Sequence, residues 1–225
     1  MKKNWIIVFA LALVADLTGV YLNNETLIYV AKPIVVIALI IYFLSATAGI
    51  GTGFKKLITG ALIFSWLGDI LLMFEPVNKN FFLYGLVSFL VAHIFYIIFF
   101  KKVQAKELVK LNWLFFILVL AYYNILMYIL NPHLGEMLWP VRIYGFVISM
   151  MFLLALHMLG IKNKEAGKML VAGALLFVVS DSVLALNKFY QSFEYAGIIT
   201  MLSYGLAQLL ITIGAARYIR SVSEQ

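Results

Sequence analysis

The chain of 225 residues contains no cysteine, so disulfides and thiolate metal sites are excluded. Charge is also scarce: 12% of residues are Asp, Glu, Lys or Arg, where a soluble domain carries about 25%. Proline occurs four times, too rarely to break long apolar runs into short elements. No polar stretch is long enough for a separate soluble domain. What remains is 64% hydrophobic, with a mean hydropathy of +1.02. These figures describe a polytopic membrane protein, and eight spans would consume roughly 160 residues, leaving only short loops.

Eight apolar runs fall at about 4–22, 28–46, 56–74, 81–100, 111–130, 139–159, 168–187 and 195–218. Each is long enough for a spanning helix, and none alternates as a barrel strand would. The fold class expected is all-α, a single integral membrane domain over 1–225 with eight transmembrane helices. The first run, beginning after Lys2 and Lys3, is too long for a signal-peptide core of about 7–15 residues and lacks a small-x-small cleavage site.

Basic residues sort by side. Lys2, Lys3, Lys55, Lys56, Lys101, Lys102, Lys106, Lys110, Lys162, Lys164, Lys168, Arg217 and Arg220 fall on one face, and Lys79 and Lys188 on the other. This bias predicts that both termini are cytoplasmic. It also accounts for the net charge of +7 without a nucleic-acid partner. The short Lys-rich ends, with no organelle-type presequence, predict a bacterial inner membrane. The sequence sets no oligomeric state.

The unusual residues are charges inside the apolar runs. Ser65-Trp66-Leu67-Gly68-Asp69-Ile70-Leu71-Leu72 places a carboxylate in the third run, and Val179-Ser180-Asp181-Ser182-Val183-Leu184 does the same in the seventh, 112 positions later. An ionised group at the centre of a bilayer costs at least ~2.5–3.5 kcal/mol, which makes such a residue a candidate for function. At about 1.5 Å per residue, both lie roughly 10 Å from the outer boundary. Asp16 and Asn124 fall at similar depth, and Lys32 and Arg142 somewhat shallower. His93 and Tyr96, spaced i, i+3 on one helix face, lie deeper.

Three potential negative charges and two positive ones leave one carboxylate without a cation. One Asp then holds a proton while another stays ionised, the pattern of a general acid beside a charge stabiliser. The structural alternatives are that the carboxylates pair with Lys32 or Arg142 as helix-packing contacts, and that Lys32 snorkels. His93 alternatively makes an interhelical hydrogen bond. His157 reads as structural and His133 as a loop residue, and the three histidines lack metal-site spacing. Gly49-Ile50-Gly51-Thr52-Gly53 reads as a flexible turn. The two halves, aligned on Asp69 and Asp181, read as a parallel 4+4 pseudo-repeat, with Tyr84-Gly85-Leu86 echoed by Tyr204-Gly205-Leu206.

Lys32-Pro33, Gly68-Asp69-Ile70-Leu71-Leu72, His93-Ile94-Phe95-Tyr96, Arg142 and Ser180-Asp181-Ser182-Val183-Leu184-Ala185, in this order and spacing, resemble the YhhN-like lysoplasmalogenase family. The resemblance covers almost the whole chain. It implies hydrolysis of the vinyl ether bond of a lysophospholipid, releasing a fatty aldehyde and glycerophosphoethanolamine or glycerophosphocholine. It implies catalytic roles for Asp69 and Asp181, with His93 and Tyr96 orienting water or a carboxylate. Lys32 and Arg142 would attract the lipid phosphate, and Tyr96, Asp16 and Asn124 would complete the substrate-binding set. No metal or organic cofactor is required by this chemistry. The competing reading is a proton-coupled or lipid/small-molecule membrane transporter. Against it, the helices carry little of the Gly/Pro interruption that marks transport sites. A non-catalytic scaffold is disfavoured by the short loops.

Overall fold

The computed structural model describes residues 2–223, with the backbone alone for Lys2 and Lys3, so those two side chains, and residues 1, 224 and 225, lie outside the described part. It is helical throughout, with no strand among the described residues. The order is α1 (Lys2–Tyr21), α2 (Glu25–Ala46), α3 (Gly53–Met73), α4 (Asn80–Lys106), α5 (Trp113–Leu130), α6 (Leu138–Leu156), α7 (Lys164–Ala185) and α8 (Ala196–Ser223). All eight are long and apolar enough to cross a membrane, so the chain is a multi-pass membrane protein.

Short polar residues start several of these helices. The side chains of Asn24, Thr52, Asn112 and Asn163 accept from the backbone N–H of Leu27, Lys55, Leu114 and Ala166, at 3.0, 3.4, 3.0 and 3.1 Å. Each satisfies one of the donors that a helix start leaves open. α4 continues past residue 100 to Lys106 because Val103 is still fully buried on its inner face. At the other end of the chain, α7 gives way at Ala185 to a π-helical turn, Leu186–Tyr190.

α7 packs most extensively on α8, α3 on α4, and α1 on α2. Close approach of α7 and α8 depends on Gly173, where a Cβ would lie 2.9 Å from the Ala207 carbonyl oxygen and from the Ile211 nitrogen. α5 is peripheral. It buries only Val119, Met127 and Leu130, and turns Trp113, Leu114, Phe116, Ile117 and Leu118 outward, as a lipid-facing helix does.

An even number of crossings brings both termini to one end, here called proximal. In the proximal half Val35, Leu39 and Phe43 of α2, Phe99 and Phe100 of α4, and Ile211 and Ala215 of α8 are buried together. The buried polar side chains of α1, α3 and α7 lie towards the opposite, distal half.

Candidate active site

Asp69 is buried in α3 and follows Gly68, which has no side chain to hold Phe89 away. A Cβ on Gly68 would lie 2.6 Å from the Phe89 ring. Phe89 therefore rests directly on α3 and meets Tyr204 of α8 edge to face, with ring centroids 5.8 Å apart. So placed, the Tyr204 hydroxyl donates to Asp69 Oδ2 at 2.7 Å. Gln208, one turn along α8, donates from Nε2 to the Tyr204 hydroxyl oxygen at 3.3 Å. The Tyr96 hydroxyl of α4 donates to Gln208 Oε1 at 2.9 Å. Three donors are thus aligned in one direction, ending on Asp69. All four residues are buried, where such bonds are electrostatically stronger than in water.

Asp181 on α7 is only partly buried. The Tyr144 hydroxyl of α6 donates to its Oδ2 at 2.5 Å. Beside it, Ser180 Oγ donates to the Thr200 carbonyl at 3.0 Å, fixing α7 to α8. Ser182 Oγ and the Tyr122 hydroxyl lie 2.8 Å apart, fixing α7 to α5. Asp181 is therefore held by a single phenol on a serine-bonded turn.

Both carboxylates line one cavity of about 270 Å³. Leu72, Leu86, Phe89 and Leu184 give it apolar walls, and Tyr144 and Tyr204 line it with the carboxylates they hold. Lys32 is the cation on its wall. Its Nζ lies 3.5 Å from Met201 Sδ and, among the described residues, makes no ion pair. Its charge is close enough to act on Asp69 and on Asp16. At the distal rim Glu75 is ion-paired with Lys188, tying the end of α3 to the π-helical turn.

Of the other residues singled out in the sequence, none lines this cavity. Asp16 is fully buried on α1, with neither oxygen hydrogen-bonded, in the field of Lys32. His93 is one layer back, edge-on to Phe177 at 4.7 Å and to Tyr144 at 5.4 Å, and neither ring nitrogen has a hydrogen-bond partner. Tyr96 reaches the site through Gln208. Arg142 turns aside: its Nε donates to Asn131 Oδ1 at 3.1 Å, and its guanidinium lies over Trp139. Asn124 is exposed on α5 and donates to the Leu120 carbonyl of its own helix at 2.7 Å.

Tyr204, Tyr144 and Gln208 are the site residues that the sequence reading did not select. Tyrosine occurs thirteen times and does not stand out in membrane helices. Gln208, a primary amide in an apolar run, carried a weaker form of the signal, polarity without charge. Among the described residues no three His, Cys, Asp or Glu side chains are grouped so as to hold a metal ion.

The model of the YhhN family matches residues 27–215, which include every residue of the cavity described here except those of α1. The lysoplasmalogenase TMEM86B of Rattus norvegicus is 33% identical over 180 residues, covering 79% of this chain and 69% of the relative. TMEM86B of Homo sapiens is 33% identical over 168 residues, 73% and 66% of the two chains. The lysoplasmalogenase TMEM86A of Homo sapiens is 31% identical over 158 residues, 68% and 62%. No solved structure matches this chain.

Proposed function

The chain belongs to the YhhN family, and from that premise we propose that it is a lysoplasmalogenase-type hydrolase, its chemistry carried by Asp69 and Asp181. The likeness to the lysoplasmalogenases favours hydrolysis over transport. The substrate is a lysophospholipid with an alkenyl chain. The products are a fatty aldehyde and glycerophosphoethanolamine or glycerophosphocholine. The observation that carries the site assignment is that two carboxylates from α3 and α7 line one apolar cavity, each held by a tyrosine.

The reaction begins by moving a proton to the β-carbon of the vinyl ether. The double-bond electrons form the new C–H bond, and the ether oxygen shares its lone pair with the α-carbon, giving an oxocarbenium ion. Water adds to the α-carbon and loses a proton. The resulting hemiacetal breaks its bond to the glycerol oxygen, which takes a proton as the aldehyde carbonyl forms. The protein must supply a proton donor and a fixed negative charge. Asp181, partly exposed to the cavity and held by one phenol, is the donor. Asp69, at the end of three aligned donors and within the field of Lys32, is the carboxylate that faces the developing cation. Asp181, once deprotonated, takes the proton from the attacking water. Lys32 attracts the substrate phosphate, and His93 backs the Tyr144 ring. The bias of the basic residues towards one end supports a reading in which both termini are cytoplasmic and the membrane is a bacterial inner membrane.

Turnover of lysoplasmenylethanolamine by the purified protein in D₂O tests this chemistry. Aldehyde carrying one deuterium on the carbon next to its carbonyl is expected, because that carbon receives the proton. Aldehyde without that deuterium rules out β-carbon protonation, and no aldehyde rules out the reaction.

A further inference from the structure

A second chamber, of about 540 Å³, opens at the distal end of α1 and the α7–α8 connection. It shares Val20, Asn187 and Gly197 with the carboxylate cavity, so the two are contiguous. We propose that this chamber seats the cationic end of the substrate headgroup, a primary or quaternary ammonium. The proposal rests on the lysophospholipid reading above, because the headgroup must stay attached to a lipid whose vinyl ether lies between Asp69 and Asp181.

Glu194 is the one charged residue that lines the chamber, and it is exposed and makes no ion pair among the described residues. No Lys or Arg lines it. Lys32 lines the inner cavity instead. From the inner cavity to the outer chamber, and apart from Glu75, which is ion-paired with Lys188, the protein offers two carboxylates with a cation and then an anion. A zwitterionic lysolipid offers, in the same direction, a vinyl ether that becomes cationic, a phosphate and then an ammonium. A phosphate seated in the outer chamber would face Glu194 with no cation to match it.

Tyr21 and Tyr195 reach the chamber from α1 and from the connection before α8. Both are more than half exposed, so their rings are available. The face of an aromatic ring attracts an ammonium, a quaternary one included. Together with Glu194 they supply the two elements by which such a group is recognised.

The described residues include three non-glycine residues with positive φ, and two of them, Asn23 at 52° and Tyr195 at 63°, line this chamber. Asparagine tolerates that region, but a bulky residue such as tyrosine rarely occupies it. Residues held this way collect at ligand clamps. The segment is fixed there: the Tyr195 carbonyl accepts from Ile199 N–H at 2.9 Å, and Asn187 Oδ1 accepts from Phe193 N–H at 3.2 Å.

The test uses saturated 1-O-alkyl lysolipids, which have no vinyl ether to cleave, with phosphocholine, phosphoethanolamine or bare phosphate headgroups. Binding to the purified full chain is measured by thermophoresis. The wild type is expected to bind the two ammonium lipids several-fold more tightly than the bare phosphate lipid. Glu194→Gln and Tyr195→Gly, the second of which removes the ring while keeping the backbone angle accessible, should each reduce that preference. Glu194→Lys should reverse it in favour of bare phosphate. Equal binding of all three headgroups by the wild type, or an unchanged preference in folded Glu194→Gln and Tyr195→Gly, overturns the proposal. Because these lipids are not turned over, the result is independent of the aldehyde assay, which tests the reaction alone.

Discussion

Asp69 and Asp181 face the same cavity but are held in different ways. Asp69 is buried, accepts from the last of three aligned donors and feels Lys32. Asp181 is partly exposed and accepts from Tyr144. Their partners come from helices that a parallel repeat would not equate, α8 for one and α6 for the other. Two carboxylates of similar sequence setting thus have different surroundings. In the proposed mechanism the row of donors and the cation keep Asp69 a fixed charge, while Asp181, partly exposed and with no such row behind its phenol, gives and recovers the proton.

The largest effects follow from removing the carboxylates themselves. Asp181→Asn removes the proton donor, and a drop of about 10²–10⁴-fold in kcat is expected, the usual range for general acid catalysis. Asp69→Asn removes the charge that stabilises the cation, and a drop of about 10²–10³-fold is expected, as when one electrostatic stabiliser is lost. Aldehyde release, measured on variants that elute as single symmetric peaks, checks both. Wild-type turnover by either variant eliminates its carboxylate from the mechanism.

The carboxylates were legible in the sequence because a charge is conspicuous in an apolar run. So was the count of eight helices, since each run has the length that a bilayer demands. Depth along a helix was legible too, but the direction around the helix axis was not. Asn124 and Arg142 stand at heights close to that of Asp69, yet Asn124 faces away and Arg142 packs on Asn131 and Trp139. Sequence position fixes height at a constant rise per residue, whereas azimuth depends on which neighbours the helix packs against. The tyrosines were missed for a related reason. Tyr84 and Tyr204 occupy similar sequence contexts, but Tyr84 is 52% exposed and Tyr204 is 4% exposed.

An intermediate effect separates the two holds. Tyr204→Phe and Tyr144→Phe each delete one hydrogen bond to a carboxyl group. Such a bond is worth about 1.5–3 kcal/mol when its acceptor is charged, so a loss of roughly 10–100-fold in kcat/KM is expected for Tyr204→Phe. Tyr144→Phe is expected to cost less, because its partner is the proton donor. Gln208→Met acts through Tyr204, and a loss of a few-fold is expected. In a Tyr204→Phe background that loss should vanish, because residues in one hydrogen-bonded network are coupled. Full additivity of the two changes, or equal losses in the two tyrosine variants, would mean that the aligned donors do not distinguish Asp69 from Asp181.

The smallest effect comes from a polar residue at similar depth that holds neither carboxylate. Asn124 is exposed, its side chain bonds back to the Leu120 carbonyl, and it does not line the cavity. Asn124→Leu should leave kcat/KM within about twofold of wild type, the range of surface changes remote from a site. Lys32→Met is the matched contrast, because it removes the cavity's cation while keeping an unbranched side chain of similar length. A raised KM for phosphate-bearing lysolipid is expected there. Kinetics of the two variants on one substrate check the pair. A large loss in Asn124→Leu with Lys32→Met unaffected would move substrate binding from the cavity to the lipid-facing side of α5. The expected order keeps the cavity as the site and makes direction around the helix, rather than depth, the property that selects its residues.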